Sequence, residues 1–266
     1  PSVPGTTDQV DLSVSVVEKP TGNILLGAGF GSSEGVILSG SVSQQNVFGS
    51  GNHLGVQVNT SKVNTVYSLS FTQPYWTVDG VSRGFDIYKR NVDPTAISAG
   101  AYKTSTLGGQ VRLGVPFTDI DTVLFGIGYE DVKITTFADS PVRITNYVNT
   151  FGSANKSVLG TIGWQRDTRD SAIYPTSGAI SRSNLESGLA GTLRFYKLNA
   201  QHQRYFPLTR DFTLLVNGEL GHGNGFSGKP LPFFRNFYAG GVTSVRGFQT
   251  STIGPKDADG GPIGGS

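Results

Sequence analysis

The sequence predicts an all-β protein, specifically an antiparallel transmembrane β-barrel. Apolar and polar residues alternate with a period of two along many short segments, and turn residues interrupt the alternation at regular intervals. The 266 residues include 37 glycines, and 15% of the residues are charged. This composition is too apolar for a disordered chain and too glycine-rich for a helical one. No stretch approaches the roughly 18 apolar residues of a membrane helix, whereas barrel strands alternate and keep a modest mean hydropathy.

Eleven segments have the pattern of a strand. In the clearest of them, Tyr67, Leu69 and Phe71 point one way while Ser68 and Ser70 point the other. Such polar faces are costly in a dry core but suit a hydrated lumen. The predicted strands are residues 22–30, 36–46, 53–61, 66–74, 81–91, 102–115, 122–137, 153–166, 179–187, 193–206 and 212–223.

A soluble β-sandwich or a lipocalin-like barrel shows the same alternation with its apolar faces turned inward. Strand length favours the membrane barrel, because several segments exceed the roughly 9 to 11 residues that cross a bilayer, about twice the usual soluble strand. The connections also alternate between short turns and longer loops at 93–101, 137–152 and from 223 onward. Outer-membrane barrels have this asymmetry. Aromatic residues expected at the bilayer interface lie near the short turns: Tyr75, Trp76, Trp164, Tyr205 and Phe206.

Composition argues against several classes of function. The net charge is +2 and the basic residues are scattered, so nucleic acid is not an expected partner. The three histidines lie far apart, the chain has no cysteine, and no glycine cluster follows a strand and opens a helix. We interpret Asp167 and Asp170 as turn residues rather than as a metal or acid pair. No Ser-His-Asp set is recognisable, so we expect no enzyme activity, no metal and no cofactor.

The segment 233–248 is unusually aromatic for a loop. It reads FFRNFYAGGVTSVRGF, and a segment of this composition must pack against something. In a barrel the available place is the lumen, where Arg246 would require a carboxylate partner to offset its desolvation. The alternative is a further strand pair with an ordinary arginine.

This segment resembles the long loop of the BamA family of outer-membrane assembly factors. The resemblance lies in the order and spacing of NFYAGG at 236–241, VRGF at 245–248 and TIGP at 252–255. Segments 23–31, 46–51, 74–80 and 167–178 resemble the family's first strand and its first, second and fourth periplasmic turns. The resemblance therefore covers nearly the whole chain.

The resemblance implies a barrel of about sixteen strands, of which this chain contains about eleven. Residues 1–20 are then the end of the last periplasmic POTRA domain with a hinge, an interpretation that the alternation at 10–17 also suggests. Residues 21–266 are the N-terminal part of the barrel, and 224–266 are its sixth extracellular loop. The loop-anchor residues are Val245, Arg246, Gly247 and Phe248, and the acidic partner of Arg246 is expected outside this chain.

In function, the resemblance implies insertion and folding of β-barrel proteins in the bacterial outer membrane. The partners are then the lipid bilayer, unfolded outer-membrane clients and the lipoproteins of the assembly complex. Clients are expected to enter at a weakly paired lateral gate, whose first strand comprises Asn23, Ile24, Leu25, Leu26, Gly27, Ala28, Gly29 and Phe30. Glycine weakens strand pairing by roughly 0.5 to 1 kcal/mol relative to alanine. A two-partner secretion transporter of the same fold and a passive porin are the alternatives.

Overall fold

The protein forms one antiparallel sheet of 11 strands, each paired with its neighbours in sequence. The computed structural model describes residues 12–17, 19–31, 34–97, 101–241, 244–249, 251–256 and 260–266. The strands are β1 (Gly22–Gly31), β2 (Gly35–Gln44), β3 (His53–Thr60), β4 (Asn64–Gln73), β5 (Ser82–Val92), β6 (Tyr102–Pro116), β7 (Asp121–Thr136), β8 (Ala154–Asp167), β9 (Gly178–Gly191), β10 (Phe195–Pro207) and β11 (Thr213–Gly225).

The predicted fold class is confirmed, and all eleven predicted strands are present with bounds that differ by only a few residues. The largest difference is in β9, which continues to Gly191 instead of ending at residue 187. There Leu159 pairs with Gly188 and Val158 with Ala190, so Leu189 is the extra residue of a β-bulge. A bulge breaks the alternation of side chains, which is why the sequence pattern ended early.

The two faces of the sheet differ in polarity as predicted. Tyr67 and Leu69 on β4 are 48% and 42% exposed on the outer face. Ser68 and Ser70 face the other way into a cavity of ≈ 690 Å³ that Asp86 of β5 also lines. We call this inner side the lumenal face. The apolar outer face fits contact with lipid, and the polar lumenal face fits contact with water.

The connections lie at two opposite rims. The turn rim holds residues 45–52, 74–81, 117–120, 168–177 and 208–212, and the loop rim holds the connections at 32–34, 61–63, 93–101, 137–153, 192–194 and from 226. The last loop begins two residues later than predicted, because β11 extends to Gly225.

Residues 168–177 form a turn whose geometry depends on Asp170. Its carboxylate accepts hydrogen bonds from the backbone N–H groups of Thr176 at 2.9 Å and Ser177 at 3.1 Å. Together with the Thr176 hydroxyl, these bonds lower the pKa of Asp170 to about 2. Asp167 pairs instead with Arg169, at 2.9 and 2.7 Å. Asp170 is therefore a turn residue, as predicted, whereas Asp167 is the last residue of β8 and pairs with Arg169 at the start of the turn.

The aromatic residues at the turn rim do not all face the same way. Tyr75, Trp76, Trp164 and Phe206 are exposed. The alternation of side chains along β8 and β10 places Trp164 and Phe206 on the outer face. Tyr205, one residue before Phe206, consequently lies on the lumenal face. Four of the five predicted interface aromatics thus have the exposure that contact with the bilayer interface requires.

One helix lies where the sequence predicted only a loop. Helix α1 (Val142–Phe151) begins after Pro141 and ends at Gly152, whose φ of 87° favours glycine. Ile144, Tyr147 and Val148 share one face of it, at spacings of three and four residues. In the described part of the chain, no helix has the length and apolar character needed to cross a membrane.

Residues 12–17 lack the strand that the alternation at 10–17 suggested. They have no regular secondary structure and are fully exposed, and residues 1–11 and 18 lie outside the described residues. A strand requires a hydrogen-bonding neighbour, and none of the described residues pairs with this segment.

A glycine in the middle of the sheet lets one side chain cross a whole strand. Tyr88 on β5 is directly opposite Gly108 on β6, which is directly opposite Glu130 on β7. Since Gly108 has no side chain, the Tyr88 ring lies over it and its hydroxyl donates a hydrogen bond to Glu130. A Cβ atom at residue 108 would lie 2.5 Å from Cζ of Tyr88.

We therefore expect Gly108→Ala to displace Tyr88 and to break its bond with Glu130. The cost should be about 1 to 3 kcal/mol of barrel stability, from overpacking and the lost hydrogen bond. Denaturant titration followed by the heat-modifiable mobility of the folded barrel measures it. The control is Gly109→Ala on the outer face, where the nearest atom to a Cβ is 3.5 Å away. Equal stability of the two variants would contradict the close approach.

Candidate functional site

The long loop enters the lumen through a short 3-10 turn at Phe233–Arg235. Arg235 lies between two strands of the wall, where its guanidinium pairs with Glu130 of β7 and, at 3.2 Å, with Glu186 of β9. The side chains of Arg235, Glu130 and Glu186 are 19%, 8% and 21% exposed. The pairing offsets the loss of hydration that these three charges incur inside the lumen.

Two further side chains complete what we call the Arg235 cluster, which consists of Tyr88, Glu130, Glu186, Lys197 and Arg235. The Tyr88 hydroxyl occupies one oxygen of Glu130, and Arg235 binds the other. The Lys197 ammonium donates to the backbone carbonyl of Arg235 at 2.8 Å. The cluster therefore has two cations and two carboxylates, and it joins the loop to four strands.

Aromatic rings surround the turn and exclude water from it. Phe233 is 5% exposed and meets the rings of Tyr102 and Tyr147 edge to face, at centroid distances of 5.1 and 5.4 Å. Phe234 packs against this group and also against a second buried cluster. The second cluster consists of Leu159, Leu193 and Phe195. The low dielectric of these surroundings strengthens the ion pairs of Arg235.

Helix α1 covers the loop from the side of the loop rim. Ile144 is 1% exposed and packs with Phe233, and the Arg143 guanidinium donates to the carbonyl of Pro262 at 3.2 Å. Burial in this contact raises the pKa of Tyr147 to about 12. The helix thus holds both the beginning and the end of the loop.

The rest of the loop folds back on itself below the turn. Phe237 forms a β-bridge with Gly265, and Ala239 forms another with Ile253. The ring of Phe237 lies against the backbone of Gly221 in β11, and Lys197 lies 4.2 Å above that ring. A substantial part of the described loop is therefore in contact with the lumenal wall.

The predicted anchor residues lie elsewhere in this loop. Val245, Arg246, Gly247 and Phe248 are all exposed, with Phe248 at 58%. The structure does not bring them to the Arg235 cluster, and the acidic partner of Arg246 stays a prediction about residues beyond this chain. The buried arginine of the described loop is Arg235, eleven residues earlier.

The predicted gate residues lie together on β1. This strand pairs with β2 alone among the described residues, and nine of its ten residues are exposed. Ile24, Leu26, Ala28 and Phe30 lie on the outer face, in register with the apolar residues of β2. A Cβ atom added at Gly29 would meet no other atom within 4 Å, so packing does not require glycine there.

Sequence reasoning missed the partners of Arg235. Glu130 and Glu186 each occupy a lumenal position in the interior of a strand, Glu130 between Tyr129 and Asp131 and Glu186 between Leu185 and Ser187. A charged residue at a lumenal position of a strand was the signal in the sequence that could have identified them as the partners of Arg235. The aromatic segment also contained two arginines, and only Arg246 was considered as the buried one.

A family model described as the Omp85 superfamily domain matches residues 46–266. The chain belongs to the Omp85 superfamily. It is 39% identical to the outer membrane protein assembly factor BamA of Neisseria meningitidis serogroup B, over 96% of this chain and 34% of that protein. It is 28% identical to the BamA of Nitratidesulfovibrio vulgaris, over 96% of this chain and 32% of the relative.

Among solved structures, this Omp85 chain matches BamA from Haemophilus ducreyi lacking POTRA domains 1–3, with a TM-score of 0.84 and 30% identity. The match covers 100% of this chain and 55% of that one. The resemblance to BamA is confirmed, and the protein is located in the outer membrane, as its homologues are. The chain spans about a third of the length of these curated relatives.

We expect Arg235→Met to destabilise the barrel by about 2 to 4 kcal/mol, because it leaves the buried carboxylate of Glu130 and the partly buried carboxylate of Glu186 without their shared cation. Adding Glu130→Gln should recover part of this loss, and a double-mutant cycle gives the coupling. Chymotrypsin should also cut the variant at Phe233 and Phe234, which are protected in the parent.

The matched control is Arg210→Met, which removes an exposed arginine at the turn rim. It should change stability by no more than about 0.5 kcal/mol. Additive losses in the Arg235→Met/Glu130→Gln cycle would show that the two residues do not interact.

Proposed function

We propose that this chain is the N-terminal part of the barrel of an assembly factor that inserts and folds β-barrel proteins in the outer membrane, without covalent catalysis. Membership of the Omp85 superfamily, relatives named as assembly factors and the BamA-like fold support the proposal. Because the chain spans only part of such proteins, the activity is that of the whole protein. Residues 1–20 then belong to the last POTRA domain and its hinge, and 21–266 belong to the barrel.

The observation that carries the proposal is the BamA-like fold of this Omp85 chain, in which β1 is the first strand of the sheet. A first strand that pairs only weakly with the last strand of the barrel would offer the backbone N–H and C=O groups of its outer edge to an incoming strand. Gly22, Gly27, Gly29 and Gly31 lower the stability of pairing along this edge. We therefore assign Asn23 to Phe30 as the first strand of a lateral gate where client strands add.

The partners follow from this role. Unfolded outer-membrane proteins bind at the gate, the bilayer contacts the apolar outer face, and lipoproteins of an assembly complex bind at the periplasmic side. The turn rim is that side, since short turns are periplasmic in outer-membrane barrels. The loop rim then faces the outside of the cell.

The filled lumen favours an assembly factor over a passive porin. The loop occupies the space between β5 and β10 with the Arg235 cluster and two apolar clusters. A porin keeps an aqueous channel there. A secretion transporter of the same fold stays the second candidate, and it requires displacement of this loop during passage of its partner.

Locking the gate tests the proposal. In the full-length protein, a disulfide between Leu25→Cys and a cysteine on the last barrel strand should abolish client insertion, because no free edge then forms. Reduction should restore insertion, and the native chain contributes no cysteine to confuse the result. The rate of insertion of an unfolded client into proteoliposomes is the measurement.

The matched control is a disulfide between Ser41→Cys of β2 and Gln57→Cys of β3, which are directly opposite each other on the lumenal face. Since β2 and β3 remain paired throughout, this lock should leave insertion unchanged. If the oxidised Leu25→Cys variant inserts the client as fast as the same variant after reduction of the disulfide, that result would falsify the gate.

A second test concerns the predicted loop anchor. In the full-length protein we expect Arg246→Ala to lower barrel stability and client insertion, and Arg246→Lys to restore them only in part, because lysine cannot form a bidentate pair with a carboxylate. Lys256→Ala, in the same loop, is the control. Full stability and activity in both Arg246 variants would exclude the role.

A further inference from the structure

The outer face of the sheet carries a group of lysines on four adjacent strands near the loop rim. Lys89 of β5, Lys133 of β7 and Lys156 of β8 are exposed, and the neighbouring residues Val132, Asn155 and Ser157 are buried on the lumenal side. These three lysines therefore point away from the lumen. Lys103 of β6 lies on the same face and completes what we call the lysine patch.

The lysine patch lies directly above the apolar part of the outer face. Lys89 and Lys156 belong to one cross-strand row, with Leu107 and Asp131 between them. The next row toward the turn rim carries Ile87, Gly109, Tyr129 and Val158. Ile87 is 58% exposed, as contact with acyl chains requires. The lysines thus lie where lipid headgroups begin.

The patch has an excess of positive charge. Lys103 pairs with Asp93 at 2.8 Å, and Asp131 lies in the row of Lys89 and Lys156, directly opposite Lys156. Four lysines against these two aspartates leave a net charge of +2. One oxygen of Asp131 is buried without a hydrogen-bond partner, so part of its charge is turned away from the surface.

Among the described strands, the lysines of the outer face are confined to β5–β8. The outer-face residues nearest the loop rim in β1–β4 and β9–β11 are Phe30, Val36, Thr60, Thr65, Ala190, Tyr196, His222 and Asn224, none of them basic. Other basic residues near this rim, Lys62, Arg194 and Lys229, lie in the connections and not on the strands.

We propose that the lysine patch binds the phosphorylated headgroup of lipid A, in the leaflet at the loop rim. Lys89 and Lys156 are three strands apart, about 14 Å, and lipid A carries phosphates at the two ends of a disaccharide. Flexible ammonium groups at the edge of an apolar surface suit this ligand, because their stems cover acyl chains while their charges reach the phosphates. The inference rests on the proposed orientation of the loop rim and is independent of the gate.

The test measures lipid binding by the full-length protein in detergent, by native mass spectrometry with bisphosphorylated lipid A. Each lysine should contribute about fivefold, so Lys89→Gln/Lys133→Gln/Lys156→Gln should weaken binding roughly 100-fold. The corresponding triple arginine variant should bind as the parent does. Lipid A without phosphates should bind the parent as weakly as bisphosphorylated lipid A binds the glutamine variant.

The control is Lys62→Gln/Arg210→Gln/Lys256→Gln, which removes three positive charges outside the patch and should keep full binding. Folding of every variant is checked by heat-modifiable mobility. Equal binding by the parent and the glutamine variant of the patch overturns the proposal, as does equal weakening in the control. If phosphatidylglycerol binds the parent as tightly as lipid A does, the assignment to the lipid A headgroup is overturned.

Discussion

The ion pairs of Arg235 are the interaction on which the arrangement of the lumen depends. Its guanidinium can leave bulk water at low cost because Glu130 and Glu186 face it from two strands of the wall. This requirement fixes where the long loop enters the barrel, and hence where Phe233 and Phe234 pack. Those rings in turn provide the apolar surface that orders α1. Gly108 also contributes to this arrangement, because the absence of a side chain there allows Tyr88 to reach Glu130.

The wall has two parts that differ in how they are held. Strands β5–β10 are connected on the lumenal face by the loop, through Tyr88, Glu130, Glu186 and Lys197. The described contacts of β1–β4 are mainly with neighbouring strands, and β1 has a neighbour on one side only. Rigidity of β1–β4 therefore depends mainly on strand pairing, whereas rigidity of β5–β10 also depends on charges and rings.

The strands were predictable because a barrel wall imposes a local rule. Each lumenal residue is followed by an outer one, and the alternation of Tyr67, Ser68 and Leu69 expresses this directly. The bulge at Leu189 broke the rule and shortened the predicted β9. Helix α1 was missed because half of its ten residues are β-branched, which disfavours a helix, and because the spacing of its apolar residues has meaning only beside Phe233.

The lumenal site was predicted in part. The aromatic composition of 233–248 predicted a packed loop, which is correct for 233–237 and wrong for the exposed residues 244–248. The VRGF motif lies within the segment that the family model matches. The pairing of Arg235 with Glu130 joins residues 105 positions apart, and no local pattern encodes such a contact. The sequence shows which residues are costly to bury, but which of them form ion pairs with each other depends on the folded sheet.

The unequal lengths of the strands have a mechanical consequence for the surrounding lipid. β3 has 8 residues and β7 has 16. With a rise of about 3.4 Å per residue and a tilt near 45°, they span heights of about 19 and 38 Å, against a hydrocarbon core of about 30 Å. Lipids beside β3 must compress or tilt to cover its apolar side chains, at a fraction of a kcal/mol per Å. Among the described strands, β3 therefore imposes the greatest compression on the surrounding bilayer.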